Sequence, residues 1–456
     1  MKQKRDSRVN GDRHRLCPTQ SVSVPDFRVS CDSMVALGSR TAGGHTIFAK
    51  NSDRPAAECQ PLFSAPARRS PEGSPLRCQY IEIDDVAQTF ALVGARPSWL
   101  WGLEHGVNEK GVAIGNHTIF TRDVPGQSGL LGMDLVRLGL ERGATAEAAA
   151  NVIIELIERH GQGGSGYSDT NWPYNNSFLI ADAHDAWLLE ASASRWALKR
   201  AHDGILAASN HVTIGEDWDR IGHDTAEHAI ALDWWPEPTG VRFDFARAYR
   251  STEIVPPIVS SGRYRTTCSA LAGARLDVAS ARRVMRDHYQ SGDVHLPGAS
   301  PDQERYFSVC MHADPVGTTT ASMIVELDGS TAPVMAWMAL TNPCVSPYLP
   351  VFVGAPLPAE LVRGESDPSS GGAWHRFKSL LGEVEKDFAA RAPFVRTFWD
   401  RFESEIAGET ESAVASFRAA EAGVEARRAA QADLMSRVWA RASAALEDLT
   451  ERVRAL

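Results

Sequence analysis

The protein has 456 residues, of which 43% are apolar and 23% charged, and its formal net charge at pH 7 is −10. This length allows one large hydrophobic core or two ordinary ones. The acidic balance, without a basic patch interleaved with aromatic residues, argues against a nucleic-acid partner, and no apolar stretch approaches the roughly 20 residues of a membrane span.

Residues 1–30 form the first distinct segment. They are rich in Arg, Lys, Ser and Asp and show no hydrophobic periodicity, which is typical of a disordered chain. They also lack the apolar run of about 7–15 residues that a secretory signal requires. We therefore expect a disordered leader or propeptide and a cytoplasmic protein.

A β-hairpin is predicted directly after this leader. Residues 31–37 (CDSMVAL) form a short apolar strand, a Gly-Gly pair marks the turn, and residues 46–49 begin the returning strand. This pairing brings Lys50 and Asp53 back beside Cys31. Because a nearby cation lowers the pKa of a thiol, a cysteine next to an ammonium and a carboxylate predicts a nucleophilic site.

Strands, then two helices, then strands again make up the middle of the chain. Apolar residues recur at helical spacing over residues 131–160, which predicts two helices divided at Gly143. The glycine-rich residues 161–166 follow a helix and not a strand, so they are not expected to cradle a nucleotide phosphate. The strand-like segments are residues 79–83, 89–93, 112–114, 177–181, 186–190, 204–208 and 323–327.

The composition changes beyond about residue 350. A loop rich in Gly, Pro and Ser at residues 364–372 leads into Ala-, Glu- and Arg-rich sequence that continues to residue 456. This tail predicts a pair of amphipathic helices that packs on the body of the protein or on a second subunit, so a homo-oligomer is one expectation. Sheets and helices without βαβ alternation predict a mixed α+β fold.

The seven cysteines show no pattern of their own. Their number is odd and none is paired as CxxC, so neither a disulfide framework nor a zinc site is predicted, and we expect no cofactor and no metal. Cys310 and His312 stand two residues apart, which on a strand places both side chains on one face. Structural packing is the favoured interpretation of this pair, and a pocket wall or a papain-like catalytic dyad are the alternatives.

Cys31 can act as a self-contained catalyst if it is the first residue of the mature chain. Its own α-amino group, with a pKa of about 7.7–8.0, then lies within reach of the thiol and can serve as the general base. Such a site needs a carboxylate to orient the amine, which Asp53 can supply. It also needs donors for an oxyanion, which asparagines at strand ends can supply.

Several motifs, in one order along the chain, resemble the secernins, which belong with the dipeptidase-type cysteine peptidases of the N-terminal-nucleophile (Ntn) hydrolase superfamily. The resemblance covers about residues 31–350. The motifs that carry it are CDSMVAL at 31–37, KNSDRP at 50–55, SWLWG at 98–102, GVNEKGVAIGN at 106–116, LLGMDLVRLGLERG at 130–143, HGQGG at 160–164, CMH at 310–312 and TTTASM at 318–323.

The resemblance implies a four-layer αββα sandwich of the Ntn-hydrolase type, with two antiparallel sheets between layers of helices and an added C-terminal helical segment. It divides the chain into a leader or propeptide at residues 1–30, a catalytic domain at residues 31–355 and a C-terminal helical extension at residues 356–456. The nucleophile of this fold stands on a sheet strand, which the predicted hairpin provides for Cys31.

The resemblance also implies individual site residues by position. Cys31 matches the nucleophile, and Asp53 matches the carboxylate that contacts the N-terminal amine in the related penicillin V acylases and bile salt hydrolases. Lys50 falls where those relatives have an arginine near the thiol, so the charge is kept and the bidentate fork is lost. Asn210 matches an asparagine at a strand end, and Asn116 is the nearest match to the oxyanion-hole asparagine.

Further residues of the site are expected from three other parts of the chain. The relatives have a later arginine, for which Arg242 and Arg247 are both candidates, and the sequence does not choose between them. Trp99, Trp101 and the loops around residues 160–175 are expected to form the walls of the substrate pocket.

The expected activity is hydrolysis of the C–N bond of a dipeptide or small amide by Cys31 after the leader is removed. Two alternatives stay open: an N-acyl amide acylase, and a non-catalytic secernin-like protein with a vestigial site whose helical tail binds partners. Self-cleavage through the Cys31 thiol, cutting by another protease and a start codon assigned too far upstream all fit the composition of residues 1–30.

Overall fold

A computed structural model describes residues 30–236, 240–289, 306–314, 316–330, 333–364, 369, 371–419 and 423–456. The predicted leader, apart from its last residue, lies outside the described residues. No helix in the described part of the chain combines the length and the apolar character needed to cross a membrane.

Sheet A contains the predicted hairpin. Strand β1 (Ser30–Ala36) pairs antiparallel with β2 (Thr46–Arg54), and a 3-10 helix (Gly38–Arg40) lies in the turn between them. The other strands are β14 (Ile205–Ala208), β16 (His312–Ala313), β17 (Gly317–Leu327), β18 (Met335–Leu340) and β19 (Leu349–Phe352). The order is β14-β1-β2-β17-β18-β19, with β16 paired to β17. Every residue of β2 is buried, as expected of a strand covered on both faces.

Sheet B has eight antiparallel strands. They are β3 (Leu62–Ala65), β8 (Leu92–Ala95), β9 (His105–Asn108), β10 (Ala113–Ile119), β11 (Asn175–Ala181), β12 (Ala186–Ser192), β13 (Arg195–Arg200) and β15 (Arg220–Ile221). The order is β15-β13-β12-β11-β10-β9-β8-β3. Two small ribbons complete the strands, β4 (Arg68–Arg69) with β7 (Gln88–Thr89) and β5 (Pro75–Arg77) with β6 (Glu82–Asp84).

The two sheets face each other between two layers of helices. Helices α1 (Gly132–Arg142) and α2 (Ala146–His160) pack on sheet B, divided at Gly143 as predicted. Strand β1 packs across the interface on β10 and β11. Helices α5 (Ile258–Ala272) and α6 (Val278–Met285) cover the other face of sheet A. The four-layer αββα arrangement and the α+β class are therefore confirmed.

The helices between β15 and β16 were not predicted from the sequence. They include two short ones, α3 (Thr225–Ala231) and α4 (Phe245–Tyr249), besides α5 and α6. The buried face of α5 carries the polar residues Ser260, Arg263 and Thr267. These polar positions interrupt the apolar periodicity by which an amphipathic helix is recognised in a sequence.

The C-terminal part contains three long helices and not a pair. Trp374 is buried and donates a hydrogen bond of 2.9 Å from Nε1 to the Thr320 carbonyl of β17. The apolar residues of these helices belong to the same hydrophobic core as sheet A, so the tail packs on the body of the protein. The three long helices are α8 (Ala373–Glu385), α9 (Phe388–Ala419) and α10 (Val424–Ala455), and the short helix α7 (Ala359–Val362) precedes them.

Candidate active site

The register of the β1–β2 hairpin places Cys31 among charged groups. Cys31 lies opposite Ser52 and Ser33 lies opposite Lys50, so Lys50 shares the face of Cys31. Cys31 is 6% exposed. Burial raises the pKa of its thiol to about 11, against the opposing effect of the Lys50 ammonium. The thiol is thus protonated near neutral pH and needs a base before it can attack.

Asn210 holds the backbone nitrogen of Cys31. This residue follows β14, the strand that pairs with β1 on the side away from β2. Its Oδ1 accepts a hydrogen bond of 2.8 Å from the Cys31 backbone N–H. Its Nδ2 donates to the Thr118 carbonyl of β10 at 2.9 Å, which fixes the carboxamide between the two sheets. The structure therefore places the predicted Asn210 at the nitrogen that becomes the α-amine when the leader is removed.

Arg263 of α5 is the arginine of this site, in place of the two candidates taken from the sequence. Its Nη2 donates to Asn210 Oδ1 at 2.8 Å, and its Nη1 pairs with Asp32 and lies 3.4 Å from the Cys31 carbonyl. Arg242 and Arg247 are instead exposed, and their guanidinium groups stack over tryptophan rings away from Cys31.

A signal for Arg263 exists in the sequence, although it was missed. The buried residues Val259, Arg263, Thr267 and Leu271 recur at intervals of four and form the inner face of α5. A charged residue in such a row must be paired to be buried. Its partner is Asp32, whose carboxyl has a raised pKa because burial outweighs the attraction of Arg263.

Asp53 lies next to this pair at the end of β2. Its Oδ1 accepts a hydrogen bond of 2.6 Å from the Thr319 hydroxyl of β17, and its Oδ2 lies 4.0 Å from Arg263 Nη1. A hydrogen bond from the Asp53 backbone also lowers the pKa of the Cys31 thiol. Asp53 therefore adjoins Cys31 as predicted, and the described contacts of its carboxylate are with Thr319 and Arg263.

Lys50 belongs to a second buried cluster with Glu104 and Arg54. Lys50 Nζ lies 3.7 Å from Glu104 Oε2, and Arg54 Nη1 lies 3.2 Å from Glu104 Oε1. The Lys50 ammonium, which is fully buried, makes no hydrogen bond to any described residue. Burial and this nearby cation hold the pKa values of His105 and His117 well below the ordinary histidine value. Both imidazoles are therefore neutral near pH 7.

The side-chain amide of Asn116 is engaged by Glu104. In the amide orientation that satisfies both of its ends, its Nδ2 donates to the backbone carbonyl and the Oε2 of Glu104, each at 2.9 Å. Among the described residues it makes no hydrogen bond to Cys31. Both of its N–H groups are engaged, so an oxyanion role requires Asn116 to exchange a bond to Glu104 for one to the substrate.

Aromatic side chains from the loop after α2 lie near Cys31. Tyr167 and Tyr174 are buried, and burial raises the pKa values of both hydroxyls, with a smaller contribution from the nearby Cys31 sulfur. The Tyr167 ring stacks with Trp172, and Trp172 stacks with Phe120. Two residues of the segment 160–175 therefore lie near the thiol, and its role as a wall of a substrate pocket stays a prediction. Trp101 packs on the Arg137 guanidinium of α1 instead.

Replacement of Arg263 by methionine is expected to destabilise the protein by about 3–5 kcal/mol, because it leaves the Asp32 carboxylate buried without its cation. Chemical denaturation would measure this change. Arg242→Met is the matched control, since that guanidinium is exposed, and it should change stability by no more than about 0.5 kcal/mol. Equal unfolding midpoints for the two variants would contradict the structural role of Arg263.

Comparisons with known proteins give only distant likenesses. No protein-family model matches the chain. Penicillin V acylase from Agrobacterium tumefaciens superposes with a TM-score of 0.42 at 14% identity, over 71% of this chain and 86% of that one. A mutant conjugated bile acid hydrolase from Clostridium perfringens gives 0.40 at 11% identity, over 68% and 89%. The Caenorhabditis elegans ortholog of N-acylethanolamine-hydrolyzing acid amidase gives 0.33 at 12%, over 66% and 94%. These likenesses assign no activity to this chain.

Proposed function

We propose that this protein is a cysteine amide hydrolase whose nucleophile is the Cys31 thiol, active once residues 1–30 are removed. The observation that carries the proposal is the bond of 2.8 Å from the Cys31 nitrogen to Asn210 Oδ1. The acceptor is itself fixed by Arg263 and Thr118. A receptor built around one backbone nitrogen is what a catalyst needs if its α-amine is to be the general base.

The reaction follows from these positions. The neutral α-amine of Cys31 takes the thiol proton as sulfur bonds to the substrate carbonyl carbon. The resulting ammonium returns this proton to the leaving nitrogen as the C–N bond breaks, which leaves a thioester on Cys31. Water then attacks the thioester, with the amine again as base, and releases the carboxylic acid and the free thiol.

The side chains around Cys31 would support these reaction steps in different ways. The Lys50 cation opposes the effect of burial on the thiol pKa and so favours the thiolate. Arg263 positions Asn210 and, through it, the amine. Asp53 is proposed to hold the amine as an ammonium after the proton transfer. Asn116 is proposed as an oxyanion donor after it gives up one bond to Glu104.

The walls of the site bear on the class of substrate. Tyr167 and Tyr174 lie near the thiol, and Trp172 and Phe120 extend this aromatic cluster by stacking beyond Tyr167. The nearby Arg54 cation is paired with both Glu58 and Glu104, so its charge is already matched. We therefore propose a small amide with an apolar acyl part. Dipeptides with an apolar first residue are the first candidates, and the aromatic wall equally favours N-acyl amides as the second.

A panel of apolar and charged dipeptides and N-acyl amides would test the proposal, with products identified by mass spectrometry. The enzyme should be the chain verified by intact mass to begin at Cys31. Turnover of apolar members at least about 10-fold faster than charged ones is expected, since one methylene group in an apolar pocket is worth about 1–3 kcal/mol. No turnover of any member by the verified chain would favour the non-catalytic alternative.

A further inference from the structure

Four metal-binding side chains converge at a place separate from the contacts of Cys31. They are His288, Cys310, His312 and Cys344, and one ligand atom from each lies within 4.8 Å of all the others. The two cysteines and His312 are buried, and His288 is half-buried. Thiolate sulfur and imidazole nitrogen in equal numbers are a ligand set that zinc prefers.

The distances inside the cluster suit a tetrahedral ion. His312 Nε2 lies 3.3 Å from Cys344 Sγ and 3.8 Å from Cys310 Sγ. Zinc bonds of about 2.3 Å to sulfur and about 2.0–2.1 Å to nitrogen give tetrahedral edges of about 3.3–3.8 Å between ligand atoms. The cluster therefore needs only small side-chain movements to close on an ion.

The groups around the four side chains are those that a metal site uses to orient its ligands. Glu385 Oε1 of α8 lies 3.0 Å from His312 Nδ1, which directs Nε2 of that ring toward the sulfurs. Phe388 packs edge-on against both imidazoles. The buried Nε2 of His288 has no hydrogen-bond partner among the described residues, so this ring has a polar atom that its surroundings leave unused.

We propose that His288, Cys310, His312 and Cys344 bind one zinc ion in a structural site. Four protein ligands leave no open coordination position, which distinguishes a structural zinc from a catalytic one. Binding displaces the two thiol protons, so the two thiolates balance the charge of Zn²⁺.

Two other interpretations of the cluster account for fewer of its members. A Cys344–His312–Glu385 triad uses one thiol and one imidazole and leaves Cys310 and His288 without a role. A disulfide between Cys310 and Cys344 leaves both imidazoles without one. The zinc site uses all four side chains and Glu385 as well.

The ion would join segments that are distant in the sequence. His288 follows α6, Cys310 and His312 lie at β16, and Cys344 lies between β18 and β19. The Glu385 carboxylate, which contacts His312, connects α8 of the C-terminal helices to the same site. The site would therefore fasten the helical tail to sheet A. The absence of CxxC led to the expectation of no zinc site, because ligands dispersed over three distant segments do not form a recognised zinc-binding motif.

Metal analysis of the full chain, purified under reducing conditions without chelators, would test the site. About one zinc per chain is expected in the wild type. Cys310→Ser, Cys344→Ser and His288→Gln should each reduce the content at least about 10-fold, whereas Cys268→Ser, a matched free thiol elsewhere, should keep it. Replacement of the zinc by cobalt should give the intense visible bands of a tetrahedral, thiolate-bound ion.

A chelator provides a second readout, which the wild type can give even if a variant fails to fold. It should lower the melting temperature of the wild type and of Cys268→Ser, and leave that of His288→Gln unchanged. The proposal is overturned if the reduced wild type holds no zinc and binds none when zinc is added. Peptide mapping that finds a Cys310–Cys344 disulfide in the native protein would also overturn it, as would full metal content in His288→Gln and Cys310→Ser.

Discussion

Replacing Cys31 with alanine is expected to lower kcat/KM for amide hydrolysis by about 10⁴-fold or more, to the background rate. The substitution removes the sulfur that forms the thioester and leaves the β1–β2 pairing intact. The free energy of unfolding should therefore fall by no more than about 1–2 kcal/mol, which is the usual loss for one small buried side chain. The measurement is turnover of the best panel substrate beside a denaturation curve. Both chains should begin at residue 31, so that leader removal does not differ between them.

A matched control separates this thiol from the others. Cys268 is a free, half-buried thiol of α5. Burial raises the pKa of this thiol, and Tyr264 and Lys199 are the neighbours that oppose that effect. Cys268→Ala should keep full activity. Residual activity in Cys31→Ala that disappears in a Cys31→Ala, Cys344→Ala double variant would place the reaction at the Cys344–His312–Glu385 arrangement, and would contradict both proposals.

The placement of Lys50 on the same face as Cys31 could be predicted from the sequence because it depends on a local hairpin. Two short apolar strands with a glycine turn have few alternative registers, and the alternation of side chains then decides which residues share a face. Asp53 follows from the same register. Three of the charged or reactive groups at the site are therefore encoded within one supersecondary unit.

The rest of the site depends on long-range packing that no local pattern encodes. Asn210 meets the Cys31 nitrogen from 179 residues away, and it was predicted only through the resemblance. Arg263 pairs with Asp32 from 231 residues away, on a helix that the sequence pattern did not predict. Asn116 lies inside β10, beyond the predicted strand segment 112–114, and the Glu104 carboxylate that occupies its amide could not be inferred from spacing.

The fold shows the same division between local and long-range features. The two helices around Gly143 and the strands β11 and β12 carry strong periodicity, and they were predicted nearly to their ends. The order of strands in sheet A was not predicted, because β17 inserts beside β2 from more than 260 residues further along the chain. Such pairing is decided by how the two sheets bury their faces together.

A free α-amine on Cys31 is expected to be a condition for activity. Two chains should be compared, one that begins at Cys31 and one that keeps the single additional residue Ser30. The first should exceed the second in kcat/KM by about 10²–10⁴-fold, the usual contribution of a general base. In the longer chain the nitrogen is an amide that cannot accept a proton. The pKa of the thiol in that chain, which burial raises to about 11, leaves roughly one molecule in 10⁴ ionised at pH 7.

The two chains should also differ in how the reactions of Cys31 depend on pH. Activity of the chain that begins at Cys31 should rise as pH increases through about 7–8, because the amine must lose its proton to act as a base. Alkylation of Cys31 in the longer chain should keep accelerating as pH approaches about 11, because its thiolate forms only there. Equal activity of the two chains would show that another group removes the thiol proton. Neutral His117 would then be the next base to replace. Its Nε2 lies 2.6 Å from the Ser33 hydroxyl, and Ser33 is on the same face of β1 as Cys31.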